Sequence, residues 1–140
     1  MRGEGTGNLK KKSVLDAYAL LAYLTKESGH ARVKDVLASE DTVIVINSIN
    51  LGEVFYILAR ARSIGAAEHF LKVILPSLPI TVLENSIEDV IAAARIKAKQ
   101  ALSFADCFAA ATAIREGAPL MTGDPEFKKL GKALDIDWLG

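Results

Sequence analysis

Short runs of branched apolar residues alternate along this chain with longer segments of helical periodicity, and nothing else in the sequence restricts the fold so strongly. Val14-Leu15, Thr42 to Asn47 (TVIVIN), Pro79 to Leu83 (PITVL), Pro119 to Thr122 and Leu134 to Trp138 read as strands. Between them Ala17 to Lys26, Gly29 to Ser39, Ile49 to Arg62, Gly65 to Leu75, Ser86 to about Lys99, Ser103 to Glu116 and Pro125 to Leu130 read as helices. Within Ile49 to Arg62, Leu51, Val54, Phe55 and Leu58 keep the i, i+3, i+4, i+7 spacing of a packed face. Ser86 with Asp89 has the form of a capping box, Pro76 is expected to stop the helix before it, and Gly117 to end the helix before it. Strands alternating with helices, without an internal repeat, indicate one α/β domain around a central parallel sheet. In such sheets ligands bind beyond the carboxyl ends of the strands. Residues 13–140 form that domain, preceded over residues 1–12 by a flexible basic arm with three glycines and the run Lys10, Lys11, Lys12.

Charge then narrows the function. Lys plus Arg and Asp plus Glu both number 17, so bulk attraction to polyanions is excluded and any nucleic-acid contact needs a local basic patch. At 51% hydrophobic residues the chain is globular, not disordered. The single Cys107 excludes an intrachain disulfide framework and a cysteine-cluster zinc site, and fits a reducing cytosol. The polar first twelve residues lack a signal peptide's apolar stretch. The most membrane-like segment, Thr42 to Ala59, contains Asn47, Asn50, Gly52 and Glu53, so insertion costs several kcal/mol on roughly the translocon scale. A cytoplasmic protein with no membrane partner is expected.

The acids are informative by their isolation. Asp16 is the only charge between Lys12 and Lys26, Glu53 between Asp41 and Arg60, Asp106 between Lys99 and Arg115, and Asp124 between Glu116 and Glu126. Glu84 is equally isolated but sits in a polar turn beside Asn85 and Ser86, where water solvates it. A carboxylate in apolar surroundings is expensive unless capped, paired or metal-bound. Capping alone explains each acid singly: Asp16 and Asp124 end strands and are placed to cap the helices that follow, while Asn50 with Glu53 and Ser103 with Asp106 match capping boxes. Together they say more. All four are expected just after a strand or in a helix's first turn, so a parallel sheet gathers them at one edge. There each close pair repels by up to roughly 4 kcal/mol at about 4 Å and an effective dielectric near 20. A divalent cation removes that penalty, and hard oxygen ligands without a usable histidine point to Mg²⁺ or Mn²⁺. Such ions lower the pKa of a bound water and polarise a phosphate for in-line attack. Asp16, Asp106 and Asp124 are candidate direct or water-mediated ligands, Glu53 a ligand or a group that orients the attacking water, and Thr122 either a hydrogen-bond partner of a phosphate or an acid or a strand residue with no site role.

The motifs Val14-Leu-Asp16-Ala17, Asn50-Leu-Gly-Glu53-Val, Leu102-Ser103-Phe-Ala-Asp106-Cys-Phe-Ala-Ala-Ala and Pro119-Leu-Met-Thr122-Gly123-Asp124-Pro-Glu-Phe resemble the PIN-domain family, above all its stand-alone prokaryotic VapC-type toxins. The resemblance spans about residues 13 to 138. It implies an α/β/α sandwich, Mg²⁺- or Mn²⁺-dependent endonucleolytic cleavage of RNA by Asp16, Glu53, Asp106 and Asp124, a homodimer, and an antitoxin partner. Two departures stand out: a twelve-residue arm precedes the first acid's strand, and position 123 is Gly, which suits a tight turn.

Other features carry less. Arg95, Lys97 and Lys99, and Lys128, Lys129 and Lys132, are charge runs that either grip an RNA backbone or form solvated faces. His30 and His69 read as surface residues, Asp135-Ile-Asp137 as an alternating strand, and Cys107 as a buried small hydrophobe. Tyr18, Tyr23, Phe55 and Tyr56 exceed what one small core face needs and mark either a homodimer or antitoxin contact or extra core. The alternatives are an RNA-processing nuclease without an antitoxin, and a phosphorelay receiver-like acidic pocket. The receiver pattern wants adjacent acids after the first strand, where Ala17 follows Asp16, and an acid ending the third, where Glu84 stands instead of Asp.

Overall fold

The structure of the protein is a computed structural model and describes residues 10–140. Strands β1 (Lys11–Leu15), β2 (Thr42–Asn47), β3 (Ile80–Leu83), β4 (Leu120–Thr122) and β5 (Ile136–Trp138) form one sheet in the order β3-β2-β1-β4-β5, with every neighbouring pair parallel. Helices α1 (Ala17–Thr25) and α2 (His30–Ala38) join β1 to β2, and α3 (Ser48–Ala61) with α4 (from Ile64–His69 onward) joins β2 to β3. Helices α5 (Ile87–Lys99) and α6 (Phe104–Glu116) lead back to β4, and a 3-10 stretch (Pro125–Ala133) connects β4 to β5.

The strand order steps outward from β1 to β3, then jumps back past β1 to β4. Because parallel crossovers are right-handed, the helices of the first half cover one face and those of the second half the other. The alternating side chains of the strands show it. Leu15, Ile44, Ile46 and Met121 pack with Leu20, Val33, Val54, Leu58 and Phe70, whereas Val14, Val45 and Leu120 pack with Ala109, Ala110, Ala113 and Phe127. This is the three-layer α/β/α sandwich. Its last layer is close to the sheet because α6 presents alanines to it.

Four local expectations need correction. β1 starts at Lys11, three residues earlier than its apolar pair suggested, because Lys11 and Lys12 pair with Thr42 and Val43 and the Lys12 ammonium meets Glu116 at 2.8 Å. The arm expected over residues 1–12 otherwise lies outside the described residues. Pro76 does not stop its helix: α4 continues through a π-turn (Phe70–Ile74) into a last turn (Leu75–Ser77). The wider i→i+5 register of that turn lets a residue without an N–H sit just beyond it. The cap of α3 is Asn47, not Asn50, and Glu53 therefore falls in the second turn of the helix. The capping box at Ser86 and Asp89 is formed in full. At Ser103 only the serine half is made, Asp106 N–H donating to Ser103 Oγ. Among the described residues no helix is long and apolar enough to cross a membrane.

Asn47 ties the layers together below the acidic edge. Wholly buried, it accepts from Asn50 N–H at 2.8 Å and donates to Asn50 Oδ1 at 2.7 Å and to Thr112 Oγ1 of α6 at 3.0 Å. Asn47→Ala removes a cap and strands buried partners, so it should lower stability by about 3 kcal/mol in urea denaturation, and Asn47→Ser, which restores the cap oxygen, should recover about 1 kcal/mol of it.

Candidate active site

The end of β1 meets the end of β4 where the strand order reverses. Asp16 follows β1 in extended conformation, is only 3% exposed, and caps α1 by accepting Ala19 N–H on Oδ1 at 2.8 Å. Its Oδ2 accepts the hydroxyl of Thr122, the last residue of β4, and Thr122 Oγ1 in turn accepts Asp124 N–H at 3.0 Å. Asp124 follows with Oδ1 accepting Glu126 N–H at 2.9 Å, capping the 3-10 stretch. Capping and site formation are thus not rivals for these residues. A cap uses one carboxylate oxygen and fixes where the other points.

The other two acids come from helices on opposite layers. Asn50 donates through Nδ2 to Glu53 Oε1 at 3.4 Å and to the carbonyl of Ala105 at 3.0 Å, so it holds the start of α3 against the first turn of α6. Glu53 and Asp106 are both half-buried. With Asp106 not engaged in a full capping box, its carboxylate remains turned to the shared edge, where it acts on the other acids.

That mutual action is visible in the proton affinities. Burial pushes the Asp16 carboxyl up to about 7, against hydrogen bonds from Thr122 and Ala19, with the charges of Asp106 and Glu53 adding to the rise. Burial likewise raises Glu53, aided by Asp106 and Asp124, and raises Asp106, aided by Asp124 and Glu126. No Lys or Arg pairs with any of the four among the described residues. Acids from four segments therefore feel one another at one edge with no cationic side chain to offset them. This donor set, hard oxygens only, fits Mg²⁺ or Mn²⁺ and not a thiolate- or imidazole-seeking metal. No three His, Cys, Asp or Glu side chains among the described residues are gathered closely enough to hold an ion as they stand, so joint coordination calls for rotation of the half-buried side chains.

The weaker candidates fall elsewhere. Lys97 Nζ donates to the carbonyl of Leu102 at 2.6 Å and Lys129 Nζ to that of Ala101 at 2.8 Å, so these two lysines fasten the loop before α6. His30 is half-buried, stacked on Tyr23 and bonded through Nδ1 to the Tyr23 carbonyl, and so is not the surface residue expected. His69 is exposed and Cys107 buried. Asp137 pairs with Arg32 at 2.7 Å. A concavity of about 710 Å³ lies at the opposite edge of the sheet, lined by Lys12, Ser13, Arg32, Glu116 and Asp137. None of the four acids lines it, and its Lys12–Glu116 and Arg32–Asp137 pairs consume much of its charge.

One feature of the site, the Asn47 cap, was passed over in the sequence, and another, Gly123, was given a different reason. Asn47 was available as a cap from its place between TVIVI and Ser48. Gly123, between Thr122 and Asp124, is needed for space: a Cβ there would lie 2.4 Å from Cε1 of Tyr18.

With this geometry in view, the comparisons are consistent. The family model described as PIN domain matches residues 13–133. Mycobacterium tuberculosis VapC20, a sarcin–ricin loop cleaving toxin, is similar over 85% of this chain and 95% of its own at 20% identity and a TM-score of 0.71. VapBC2 from Rickettsia felis, bound to a DNA fragment from its promoter, is similar over 90% and 97% at 19% identity and 0.70. PAE2754 from Pyrobaculum aerophilum is similar over 89% and 87% at 24% identity and 0.64. These likenesses establish the shared fold. No curated protein matches the sequence at a significant level.

The raised Asp16 carboxyl fixes a sign for stability against pH. Its proton affinity is higher folded than unfolded, so the folded chain binds more protons between about pH 4 and 7. Stability is then greatest below that window and falls as pH rises through it, by an order of magnitude of 4 kcal/mol. Asn at position 16 keeps the cap by accepting Ala19 N–H on Oδ1, and its Nδ2 donates to Thr122 Oγ1 in place of the accepted hydroxyl, without the charge. Urea titrations in EDTA should therefore show Asp16→Asn with a much flatter profile and greater stability above pH 7; an unchanged slope overturns this assignment.

Proposed function

This chain belongs to the PIN-domain family, and from that membership we propose that it is a metal-dependent endoribonuclease, the toxin of a toxin–antitoxin pair. The observation that carries the reading is the convergence of Asp16, Glu53, Asp106 and Asp124 on one sheet edge, where burial, aided by neighbouring carboxylates, raises the proton affinity of Asp16, Glu53 and Asp106, and where no cation is among their side-chain partners in the described residues. Asp16, Asp106 and Asp124 would hold Mg²⁺ or Mn²⁺, which when bound supplies a more acidic water and charge neutralisation at a phosphate. Thr122 keeps the Asp16 carboxylate fixed, and Asn50 keeps Glu53 near the start of α6, where it holds the ion or orients the attacking water. Ser103 sets the first turn of α6 and with it Asp106.

The antitoxin partner is supported by the similar structures, several of which are VapBC or FitAB complexes. Of the aromatics singled out for contact, Tyr23 and Phe55 pack against the core, whereas Tyr18 and Tyr56 are exposed. With Ile49, Ile64, Leu71 and Val73, Tyr56 puts exposed apolar surface on α3 and α4, which we assign to a second copy of the chain or the antitoxin. An RNA substrate and the free thiol of Cys107 support action in a reducing cytoplasm.

Purified protein with Mn²⁺ should cut labelled RNA, EDTA should abolish cutting, and Asp16→Asn, Asp106→Asn and Asp124→Asn should each reduce it by orders of magnitude while the fold survives; full activity in excess EDTA would sink the reading. Binding of an ion to the folded acids should stabilise the chain by about 2.7 kcal/mol at a hundredfold excess over Kd. Asp106→Asn should raise the melting temperature in EDTA and shrink the gain from Mn²⁺. If the acids were caps alone, Mn²⁺ would shift neither protein.

A further inference from the structure

Among the acids at the strand ends the fold leaves one aromatic ring uncovered. Tyr18 lies in the first turn of α1, two residues after Asp16, and is 46% exposed. An exposed tyrosine by itself means nothing. This one sits beside the strand-end acids: its hydroxyl-bearing side lies against Gly123, the residue between Thr122, which bonds Asp16, and Asp124. A Cβ at position 123 would come to 2.4 Å from Cε1 and 2.8 Å from Cζ of the ring. Gly123 is not among the residues of positive φ, so no backbone conformation demands glycine there. The absent side chain makes room for the ring. Gly123 meets the ring only on its Cε1–Cζ–Oη side, the residue stays 46% exposed, and the tyrosine hydroxyl has no hydrogen bond among the described residues.

A carboxylate edge repels the phosphates it is to act on unless a cation lies between them, and a cation recognises no base, so a hold on the base beside that phosphate needs another group. An aromatic face supplies it, since every base has a π-face and stacking is indifferent to sequence. A duplex hides those faces in its own stack. We propose that Tyr18 is a substrate-positioning residue whose ring stacks on the unpaired base beside the phosphate that reaches Asp16 and Asp124. The proposal rests on the nuclease reading above and names the residue by which that site grips a single strand. Phe104, exposed two residues before Asp106 and edge-on to Phe108, offers a second ring on the α6 side.

The test uses the full chain carrying Asp106→Asn, in Mg²⁺, with an octamer of riboadenylate bearing one 2-aminopurine, and the same octamer paired with its complement. Tyr18→Ala and Tyr18→Leu should each weaken binding of the single strand by roughly 5- to 150-fold, the range of one aromatic–base stack, and lose the quenching of 2-aminopurine. Tyr18→Phe should retain both. Duplex binding should not move. Gly123→Ala, which displaces the ring, should weaken single-strand binding when Tyr18 is present and have no further effect in Tyr18→Ala, a coupling that general damage would not produce. Tyr18→Leu keeps bulk against Gly123, and carries the test if Tyr18→Ala melts early. Unchanged binding in Tyr18→Leu, loss in Tyr18→Phe equal to that in Tyr18→Leu, or parallel loss for the duplex each overturns the proposal. Cleavage of total RNA by the chain with intact acids and Mn²⁺ separates the two readings: cleavage with Tyr18-independent binding rejects the stacking alone, and no cleavage rejects the nuclease and the stacking with it.

Discussion

The all-parallel order of the sheet, with β1 at its centre, is the constraint from which the rest follows. Parallel strands place all their carboxyl ends at one edge, and the reversal between β1 and β4 opens a crevice there. Asp16 is the first residue past β1 and Asp124 the second past β4, while α3 and α6, on opposite layers, bring Glu53 and Asp106 in from above and below. The hydrogen bond from Thr122 to Asp16 closes the arrangement by tying the two strand ends to each other. An antiparallel sheet with the same residues would have scattered the acids over both edges.

Gathering like charges opposes folding, and the molecule answers with neutral polar groups, not with cations. Thr122 and Ala19 satisfy Asp16, Asn50 steadies Glu53, and Asn47 braces Asn50 and Thr112 from below. Lysines near the site are used otherwise: Lys97 and Lys129 hold backbone carbonyls of the loop before α6. An arginine beside Asp16 would relieve the repulsion and cancel the local negative charge. The charge distribution therefore keeps the edge anionic at a cost in stability, the pattern expected where a site's chemistry conflicts with its packing.

Much of this was legible in the chain. Short branched runs between helical segments specified a parallel α/β domain, and the isolation of Asp16, Glu53, Asp106 and Asp124 in apolar stretches marked them, because an unpaired acid there must be answered by structure. The motif resemblance to the PIN-domain family, matched over residues 13–133, rested on the same stretches. Element ends were less legible. β1 reaches back to Lys11 because its partner strand extends to Thr42, and α4 runs past Pro76 because a π-turn changes the hydrogen-bond register. Both depend on neighbours that local propensity does not contain.

What the sequence determined by itself is therefore the period of each element, the class of fold and the identity of the acids, since these follow from side-chain polarity and spacing along the chain. The tertiary structure alone decided which oxygen of Asp16 faces Thr122, that Asn47 and not Asn50 caps α3, that Glu53 sits a turn deeper in its helix, and that Gly123 is small to admit the ring of Tyr18. These are matters of contact between residues far apart in the chain, such as positions 16 and 122 or 18 and 123. Their distances are set by strand order and crossover handedness, and no local pattern records them.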